Sequence, residues 1–504
     1  MFKLHYIITL LINVLRLTLR NMCKLLTLIT VLLCTIIAPL KSNGQFSSIM
    51  DLSPLPARDF ATKEKPQSKV FFMDDKYWAI LANDTGTHLW SLEDNTWKHA
   101  KQLVTKNSRA DYVIIENTVH ILLYSGSSTQ FLSIEYDNTK KQFKSWSKNK
   151  STIEINLEKE VEVASIDKDK TGRLWVGSTG DNGKVNVRWS DAPYTQWSAP
   201  ITIEQGLHSD DICAVISLPQ SNQIGVLWSN QNTKRWGFKT HNIGDDINKW
   251  SKDEIPALQS ALSQGTGMAD DHINMKVASD GTLYAAIKTG YDKIGYPLIA
   301  LLIRRPSGVW DELYEVSQSG TLPIVLLNEE QNLIKVVYTS ATYGGDILYK
   351  ESSTNNISFC KTYTLIKGKY NYASSIKKSY SSETLILASD ESQVVGVRVS
   401  DSSVERTPFA SDCQEEESQL NFNAIPNPFL GNTTVHFRLS ESIPYSLTLY
   451  NSNGAKISQV YSSTAVAGKL NKYDIDASSL ARGLYILKLE TSNFVKSIKL
   501  VHER

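Results

Sequence analysis

The chain has 504 residues, and its 53 Lys and Arg residues nearly balance its 52 Asp and Glu residues, for a net charge of +1. A balanced charge gives no indication of binding to nucleic acid or to a membrane surface, because such proteins carry a concentrated positive charge. Five cysteines do not make a disulfide-rich scaffold, and no Cys-x-x-Cys or His-x-x-x-His spacing indicates a zinc site.

The N-terminal segment is typical of an export signal. Residues 22–44 begin with a short basic start, continue with an apolar run from Leu25 to Ala38 and end in small and polar residues. This order predicts a secretory signal peptide, and the run is too short for a transmembrane helix. We therefore assign 1–44 to the signal, with Met22 as the expected true start; the alternative is one long uncleaved N-terminal anchor. No later segment is apolar enough to span a bilayer.

A repeat of aromatic residues follows the signal. Its members are Trp97, Trp146, Trp197, Trp250, Trp310 and Phe359. The tryptophans are separated by 49, 51, 53 and 60 residues, and the phenylalanine follows the last of them by 49 residues. Each period contains four runs that are typical of strands, which predicts the antiparallel blades of a β-propeller. We interpret the periodic aromatic residues as core between blades, the alternative being stacking against a glycan.

The spacing predicts an all-β fold with a seven-bladed propeller over residues 45–410. Six full blades start near residues 69, 110, 161, 209, 270 and 320. A shorter seventh blade spans about 370–409, and residues 46–58 would supply its missing strand. This closure by the two chain ends would protect edge strands. A six-bladed propeller is the alternative.

Three cysteines lie outside the signal. Cys360 and Cys413 could pair in an oxidising compartment, which would leave Cys213 free. The alternative is three free, buried thiols.

Two turns have the same local pattern. Residues 166–176 and 277–284 each place an Asp and a Gly in a turn before a strand with an aromatic residue. Asp can cap its own turn, Gly tolerates positive φ, and the aromatic ring can pack between blades. These hairpins resemble those of sialidase-like (BNR-type) propellers, which implies architecture rather than activity. A sialidase would also need three arginines around a carboxylate and a Tyr–Glu nucleophile pair, and the sequence assigns neither.

The richest group of polar residues opens the fifth blade. Alternation puts His272, Asn274 and Lys276 on one face of a strand, directly after Asp270 and Asp271. An imidazole beside carboxylates can transfer protons near neutral pH, and carboxylate oxygens can hold Ca²⁺. We therefore expect a ligand site here at the mouth of the central channel, and no cofactor other than Ca²⁺.

Asp210 and Asp211 occupy the matching place one blade earlier. Together the two blades would present four carboxylates and His272 around one funnel. The competing interpretation is structural, because Asp at the start of a strand often caps a loop, and polar groups of inner strands often bond across the channel.

Two further residues of the fifth blade could join a sugar site. Tyr291 could stack on a sugar ring, and Arg304 could donate two parallel hydrogen bonds. In the alternative, Arg304 and Arg305 simply alternate, with one of them pointing to solvent.

The C-terminal region is a series of short motifs after an acidic linker at 411–420. The motifs are, in order, Pro426-Asn427-Pro428-Phe429, Val435-His436-Phe437-Arg438-Leu439, Leu447-Thr448-Leu449-Tyr450-Asn451, Asn453-Gly454, Leu480-Ala481-Arg482-Gly483-Leu484-Tyr485 and Lys496-Ser497-Ile498-Lys499-Leu500-Val501. Their alternation predicts a small Ig-like β-sandwich. The series resembles the C-terminal sorting domain of the type IX secretion system of Bacteroidota, over residues 421–504. This resemblance implies export through the periplasm to the outer-membrane surface or the medium, with the secretion machinery as partner and the domain removed or used for attachment.

The cargo is open to three hypotheses. The first is a non-catalytic propeller that binds glycan or protein. The second is a polysaccharide lyase or glycoside hydrolase at the channel mouth, with His272, Tyr291 and Arg304 as its candidate residues. The third is a purely structural extracellular protein. No phosphate-binding loop, nucleophile elbow or His-Glu-x-x-His motif indicates another chemistry.

Overall fold

The computed structural model describes residues 46–503 except for 181–182, 258–266, 292–295, 402–421, 440–441, 453, 468 and 493–494. The predicted signal (1–44), the linker (411–420) and Cys413 therefore lie outside the described residues. In the part that is described, no helix combines the length and the apolar character needed to cross a membrane.

The described chain begins with two short strands, β1 (Ser48–Asp51) and β2 (Leu55–Pro56). Antiparallel sheets follow, which we number in chain order. Sheet 1 contains β3 (Val70–Met73), β4 (Lys76–Asn83), β5 (Gly86–Glu93) and β6 (Thr96–Val104). Sheet 2 contains β7 (Arg109–Ile115), β8 (Thr118–Tyr124), β9 (Ser128–Asp137), β10 (Gln142–Ser145) and β11 (Ile153–Asn156).

The next three sheets repeat this plan. Sheet 3 contains β12 (Ala164–Lys168), β13 (Leu174–Thr179), β14 (Lys184–Ser190) and β15 (Ile201–Gln205). Sheet 4 contains β16 (Cys213–Leu218), β17 (Gln223–Asn230) and β18 (Arg235–Asn242), with a 3₁₀ turn at Pro219–Ser221. Sheet 5 contains β19 (Ile273–Val277), β20 (Leu283–Lys288), β21 (Ile299–Arg304) and β22 (Tyr314–Ser317).

Sheets 6 and 7 share one long strand. Sheet 6 contains β23 (Thr321–Asn328), β24 (Leu333–Thr339), β25 (Gly345–Ser353) and β26 (Tyr363–Ser374). The end of β26 pairs with β27 (Glu383–Ser389) of sheet 7, which continues to β28 (Gln393–Ser400). β1 and β2 both pair with β28. The N-terminal segment therefore completes the last sheet, which confirms the predicted closure.

The hydrophobic core lies between successive sheets. Among the described residues, one apolar cluster fills the space between each sheet and the next, beginning between sheets 1 and 2 and ending between sheets 7 and 1. Trp97, Trp146, Trp250, Trp310 and Phe359 all belong to these clusters or pack against them. The interpretation of the aromatic repeat as inter-blade core is confirmed. The chain is an all-β propeller, and the count of seven blades stays a prediction that this ring supports.

The hairpin between β12 and β13 explains why the Asp-Gly pattern recurs. The Asp169 carboxylate accepts hydrogen bonds from the backbone N–H of Thr171 at 2.8 Å and from Trp175 Nε1 at 3.1 Å. Gly172 has a φ of 90°, which a side chain would oppose. The Asp side chain thus fixes the turn and orients the buried indole in one step.

The two sulfur environments of the propeller differ. Cys360 is disulfide-bonded, whereas Cys213 is a free, buried thiol. Burial raises the pKa of the Cys213 thiol, so it stays protonated and unreactive.

The C-terminal region is a second β-structure. One sheet contains β29 (Asn423–Ile425), β30 (Asn432–Arg438) and β33 (Leu470–Asp476); the other contains β31 (Pro444–Asn451), β32 (Lys456–Thr464), β34 (Gly483–Thr491) and β35 (Val495–His502). Val435, Phe437, Leu447, Leu449 and Leu487 fill the space between the sheets. We call this unit the C-terminal sandwich.

Candidate ligand site at the channel mouth

The first strands of successive propeller sheets lie side by side, and each contacts the next from β7 through β12, β16 and β19 to β23. The residues just before these strands therefore meet at one rim. Charged side chains from four of these rim segments and from the end of β20 come together in the described structure, and we call them the mouth cluster: Lys65, Glu162, Asp210, Asp270, Asp271, His272 and Lys288.

His272 has hydrogen-bond partners on both sides of its ring. Nδ1 lies 2.8 Å from Asp270 Oδ1 and also contacts Asp271. Nε2 lies 3.2 Å from the Thr321 hydroxyl of sheet 6. Lys288 donates to the second oxygen of Asp270 at 2.9 Å. The predicted trio of Asp270, Asp271 and His272 is thus brought together, and its hydrogen-bonding capacity is largely used within the protein.

Lys65 connects opposite sides of the rim. Its ammonium donates to Glu162 Oε1 of the sheet 3 rim at 2.7 Å and to the Asp271 carboxylate of the sheet 5 rim. Burial alone would lower the pKa of Lys65, but attraction by Asp271 and Glu162 outweighs it and raises that pKa. Burial would raise the pKa of Asp271, but His272 and Lys65 lower it, so Asp271 is a carboxylate at any ordinary pH.

Glu162 behaves in the opposite way to Asp271. Burial, together with repulsion from Asp271 and Asp210, raises the pKa of Glu162 to about 7 despite the nearby Lys65. A candidate metal-ligand oxygen from each of Glu162, Asp210 and Asp271 lies within 4.8 Å of the others. The mouth cluster therefore includes one carboxyl group that titrates near neutral pH.

Sequence reasoning missed both Lys65 and Glu162. A signal for Glu162 existed, because it precedes β12 at the place in the repeat that Asp211 and Asp271 hold before β16 and β19. Lys65 has no such signal, since its partners follow it by 97 and 206 residues.

The pair Asp210 and Asp211 divides between two roles. Asp210 is exposed and points to the mouth cluster. Asp211 is buried and accepts hydrogen bonds from the backbone N–H groups of His208 at 2.7 Å and Gln231 at 3.1 Å. Asp211 therefore caps its own loop, as in the structural alternative.

Asn274 and Lys276 lie on the same face of β19, and each makes a hydrogen bond to the backbone outside sheet 5. Asn274 Oδ1 accepts from the Val325 N–H at 3.1 Å, and the Lys276 ammonium donates to the Ile376 carbonyl. Burial, with repulsion from Lys377, lowers the pKa of Lys276 to about 7. The predicted alternation is correct: Asn274 links sheet 5 to sheet 6, and Lys276 links sheet 5 to the segment between β26 and β27.

Tyr291 and Arg304 do not join the mouth cluster. Tyr291 is buried in the core between sheets 4 and 5. Arg304 pairs in register with Leu283, at the end of sheet 5 away from Ile273. Its guanidinium donates two hydrogen bonds to Glu254, at 2.7 and 2.8 Å. Arg304 is therefore a structural ion pair, and the hypothesis that groups it with His272 has no support in this geometry.

A small pocket opens beside the mouth cluster. Its lining includes Glu64, Lys65, Leu322, Pro323 and Tyr372. Leu322 and Tyr372 both have positive φ, at 53° and 54°. Such backbone conformations are costly for residues with side chains and persist only where the surroundings hold them.

Aromatic and cationic groups border this pocket. The Phe60 ring lies 5.6 Å from the Tyr372 ring, and the Lys63 ammonium lies 5.8 Å from the same ring. Tyr343, in the loop between β24 and β25, is 90% exposed. This loop lies close to Tyr372, because Gly345 pairs with Tyr370 of the same strand, β26. The rim thus combines exposed ring surface with charged groups.

Comparison with solved structures finds propeller-like folds at very low sequence identity. An ulvan lyase of polysaccharide lyase family 25 shares 10% identity, with a TM-score of 0.47, over 72% of this chain and 99% of that one. The polysaccharide lyase Uly1 shares 8% identity, with a TM-score of 0.44, over 71% and 99%. An α-L-arabinanase of Penicillium chrysogenum shares 10% identity, with a TM-score of 0.40, over 61% and 100%. No curated protein matches this chain in sequence.

A family model matches the C-terminal sandwich. Residues 423–503 match the secretion system C-terminal sorting domain. This range contains the motifs that indicated a sorting domain in the sequence. The C-terminal sandwich is therefore a type IX secretion system C-terminal sorting domain, and the protein interacts with that machinery and is exported to the cell surface or secreted.

Proposed function

We propose that the exported propeller is a non-catalytic module that binds an extracellular glycan at the channel mouth. The observation that carries this proposal is the partly exposed ring of Tyr372 beside the mouth cluster, with the Lys63 ammonium 5.8 Å from it. It places ring surface and fixed polar groups next to each other, as carbohydrate sites require.

The bonding of the mouth cluster favours binding over catalysis. A general acid or base must offer a free position to the substrate. His272 has hydrogen-bond partners at both ring nitrogens, and Lys65, Asp270 and Asp271 already form ion pairs. Groups held in this way present a fixed charge pattern to a ligand, which suits recognition of hydroxyl and acidic groups.

The aromatic residues of the rim supply the stacking surface. Tyr372 is partly exposed beside Lys63, and Tyr343 is almost fully exposed on the neighbouring loop. A sugar ring stacked on Tyr372 would lie within reach of the Lys63 ammonium. This arrangement suits a sugar ring that stacks on one face and accepts a hydrogen bond at its edge.

A glycan array with the mature chain, with and without Ca²⁺, tests the proposal. We expect saturable binding to one class of glycan, weakened up to roughly tenfold by Tyr372→Ala, since one stacking contact contributes about 0.5–1.5 kcal/mol. Tyr461→Ala is the matched control, because Tyr461 is an exposed tyrosine of the sorting domain. A blank array from folded protein would reject the glycan ligand and point to a protein partner.

A second candidate function is a polysaccharide-active enzyme, either a lyase or a glycoside hydrolase. One observation favours it, namely the pKa of Glu162 near 7 beside the carboxylate of Asp271. Two carboxyl groups with separated pKa values are typical of acid–base pairs. Turnover of the bound glycan by the natural chain, lost in Glu162→Gln while binding persists, would support the enzyme; binding without turnover supports the module.

A further inference from the structure

The sheet β29–β30–β33 of the sorting domain has two different faces. Val435 and Phe437 point into the core of the sandwich. Side chains alternate along a strand, so Thr434, His436 and Arg438 point to the opposite face. In an isolated two-layer sandwich that opposite face is in contact with water.

His436 does not fit an isolated sandwich. It is only 3% exposed although it lies on the outer face. Its ring lies 5.5 Å from the ring of Tyr296, a residue of the propeller loop between β20 and β21. The propeller therefore covers His436.

Two further contacts involve the same face. Arg438 Nη2 donates to Glu315 Oε2 of β22 at 3.1 Å. Ile425 of β29 lies on this face too, because it pairs with Thr434, and it packs against the core cluster between sheets 4 and 5. That cluster contains Tyr296. Two strands of this face thus make three contacts with the propeller. Ile425 makes an apolar contact, His436 an aromatic one and Arg438 an ionic one, and all three involve sheet 5 or the core beside it.

We propose that the outer face of β29–β30–β33, with Ile425, His436 and Arg438, is a docking interface that holds the sorting domain on its own propeller. A partner that binds this face must first release the domain. The docked arrangement therefore controls which surface of the sorting domain is available before and after release. The partly exposed pair of Arg438 and Glu315 sets the orientation, and the apolar contacts supply most of the affinity.

Acidity acts on this interface through His436. Burial, together with the positive charge of Lys472, lowers the pKa of His436 to about 4, although Asp474 opposes the shift. Tyr296 is the propeller group that faces the ring. Within the described chain, Nδ1 of His436 has no hydrogen-bond partner. A released His436 regains its ordinary pKa of about 6.5, so docking weakens as the pH falls from about 6.5 towards 4.

Histidine labelling of residues 45–504, which keep the sorting domain, with diethylpyrocarbonate tests the proposal, and mass spectrometry gives the rate at each histidine. His120 is the buried reference and His208 the exposed one. A domain docked about nine-tenths of the time makes His436 react roughly tenfold slower than His208. Labelling of His436 as fast as His208 in the natural chain overturns the proposal.

Charge reversals show whether the propeller provides the protection. Glu315→Arg is expected to accelerate labelling of His436, and the exchange of both charges in Glu315→Arg with Arg438→Glu to slow it again. Glu330→Arg is the matched control, because Glu330 is exposed on a turn between β23 and β24. Tyr296→Ala provides a second, uncharged disruption. If neither Glu315→Arg nor Tyr296→Ala changes the rate at His436, its burial belongs to the sandwich alone and the docking interface is rejected.

Discussion

Lys65, in the segment that leads into the first propeller sheet, bonds to the carboxylate of Asp271, which follows it by 206 residues in the chain. This contact joins the sheet 5 rim to the entry of the ring, and a second bond from the same ammonium reaches Glu162 of the sheet 3 rim. One side chain therefore ties separate parts of the channel mouth together.

Replacing Lys65 by Met should destabilise the propeller, because two partly buried carboxyl groups lose their cation. We expect the free energy of unfolding to fall by about 3 kcal/mol, as for other broken ion pairs that are mostly buried. Urea unfolding of the mature chain measures the change. Lys76→Met is the control, since the Lys76–Glu93 pair is exposed and should contribute less than about 1 kcal/mol. Equal effects of the two substitutions would contradict the role of Lys65.

The buried ammonium of Lys276 should make the stability depend on pH. Its pKa is about 7 in the folded protein, below its ordinary value of 10.5, so the unfolded chain binds the proton more tightly. The free energy of unfolding therefore rises with pH between about 7 and 10.5. From pH 7 to pH 9 we expect a gain of roughly 2 kcal/mol from this group.

Urea midpoints at pH 7 and pH 9 measure this gain. Lys276→Met should remove it, whereas the same change at the exposed Lys378 should leave it intact. A natural chain whose midpoint falls over this range would show that Lys276 remains protonated.

The disulfide of Cys360 should stabilise the chain under oxidising conditions. Reduction removes a constraint on the unfolded chain, which typically costs 2–4 kcal/mol. We expect dithiothreitol to lower the thermal midpoint of the natural chain and to have no effect on Cys360→Ser. Cys213→Ser should keep the full response, because Cys213 is free. If dithiothreitol also lowers the thermal midpoint of Cys360→Ser, the reducible disulfide does not involve Cys360.

Arg304 should be needed for stability but not for ligand binding. Arg304→Met leaves Glu254 without its bidentate partner and also perturbs Trp310, whose Nε1 donates to Glu254 at 2.8 Å. We expect a loss of about 3 kcal/mol in stability and unchanged glycan affinity. Loss of binding in folded Arg304→Met would return Arg304 to the site and contradict its structural assignment.

Local chemistry made the architecture predictable from the sequence. The turn at Asp169 and Gly172 follows from the side-chain cap and the positive φ, and the spacing from Trp97 to Trp310 follows from the core between sheets. The pairing of β1 with β28 was also predictable, because the last repeat lacked a strand. Each of these features depends on residues close in sequence or on a count of repeats.

The composition of the mouth cluster was only partly predictable. His272 and its two Asp neighbours are adjacent in sequence, whereas Lys65 and Glu162 reach them through long-range folding. Arg304 lies far along sheet 5 from His272, because membership of the same blade does not give the end of the sheet at which a side chain lies. Long-range ion pairs depend on the register between segments, which a single sequence does not specify.

The pairing of β1 with β28 joins residues that are about 350 positions apart in the chain. During export, whichever end of the propeller arrives first must wait for the other before the last sheet can form. Completion of the ring therefore requires both ends of the propeller segment. A propeller truncated at either end would present an unpaired strand edge, which favours pairing with another chain and aggregation.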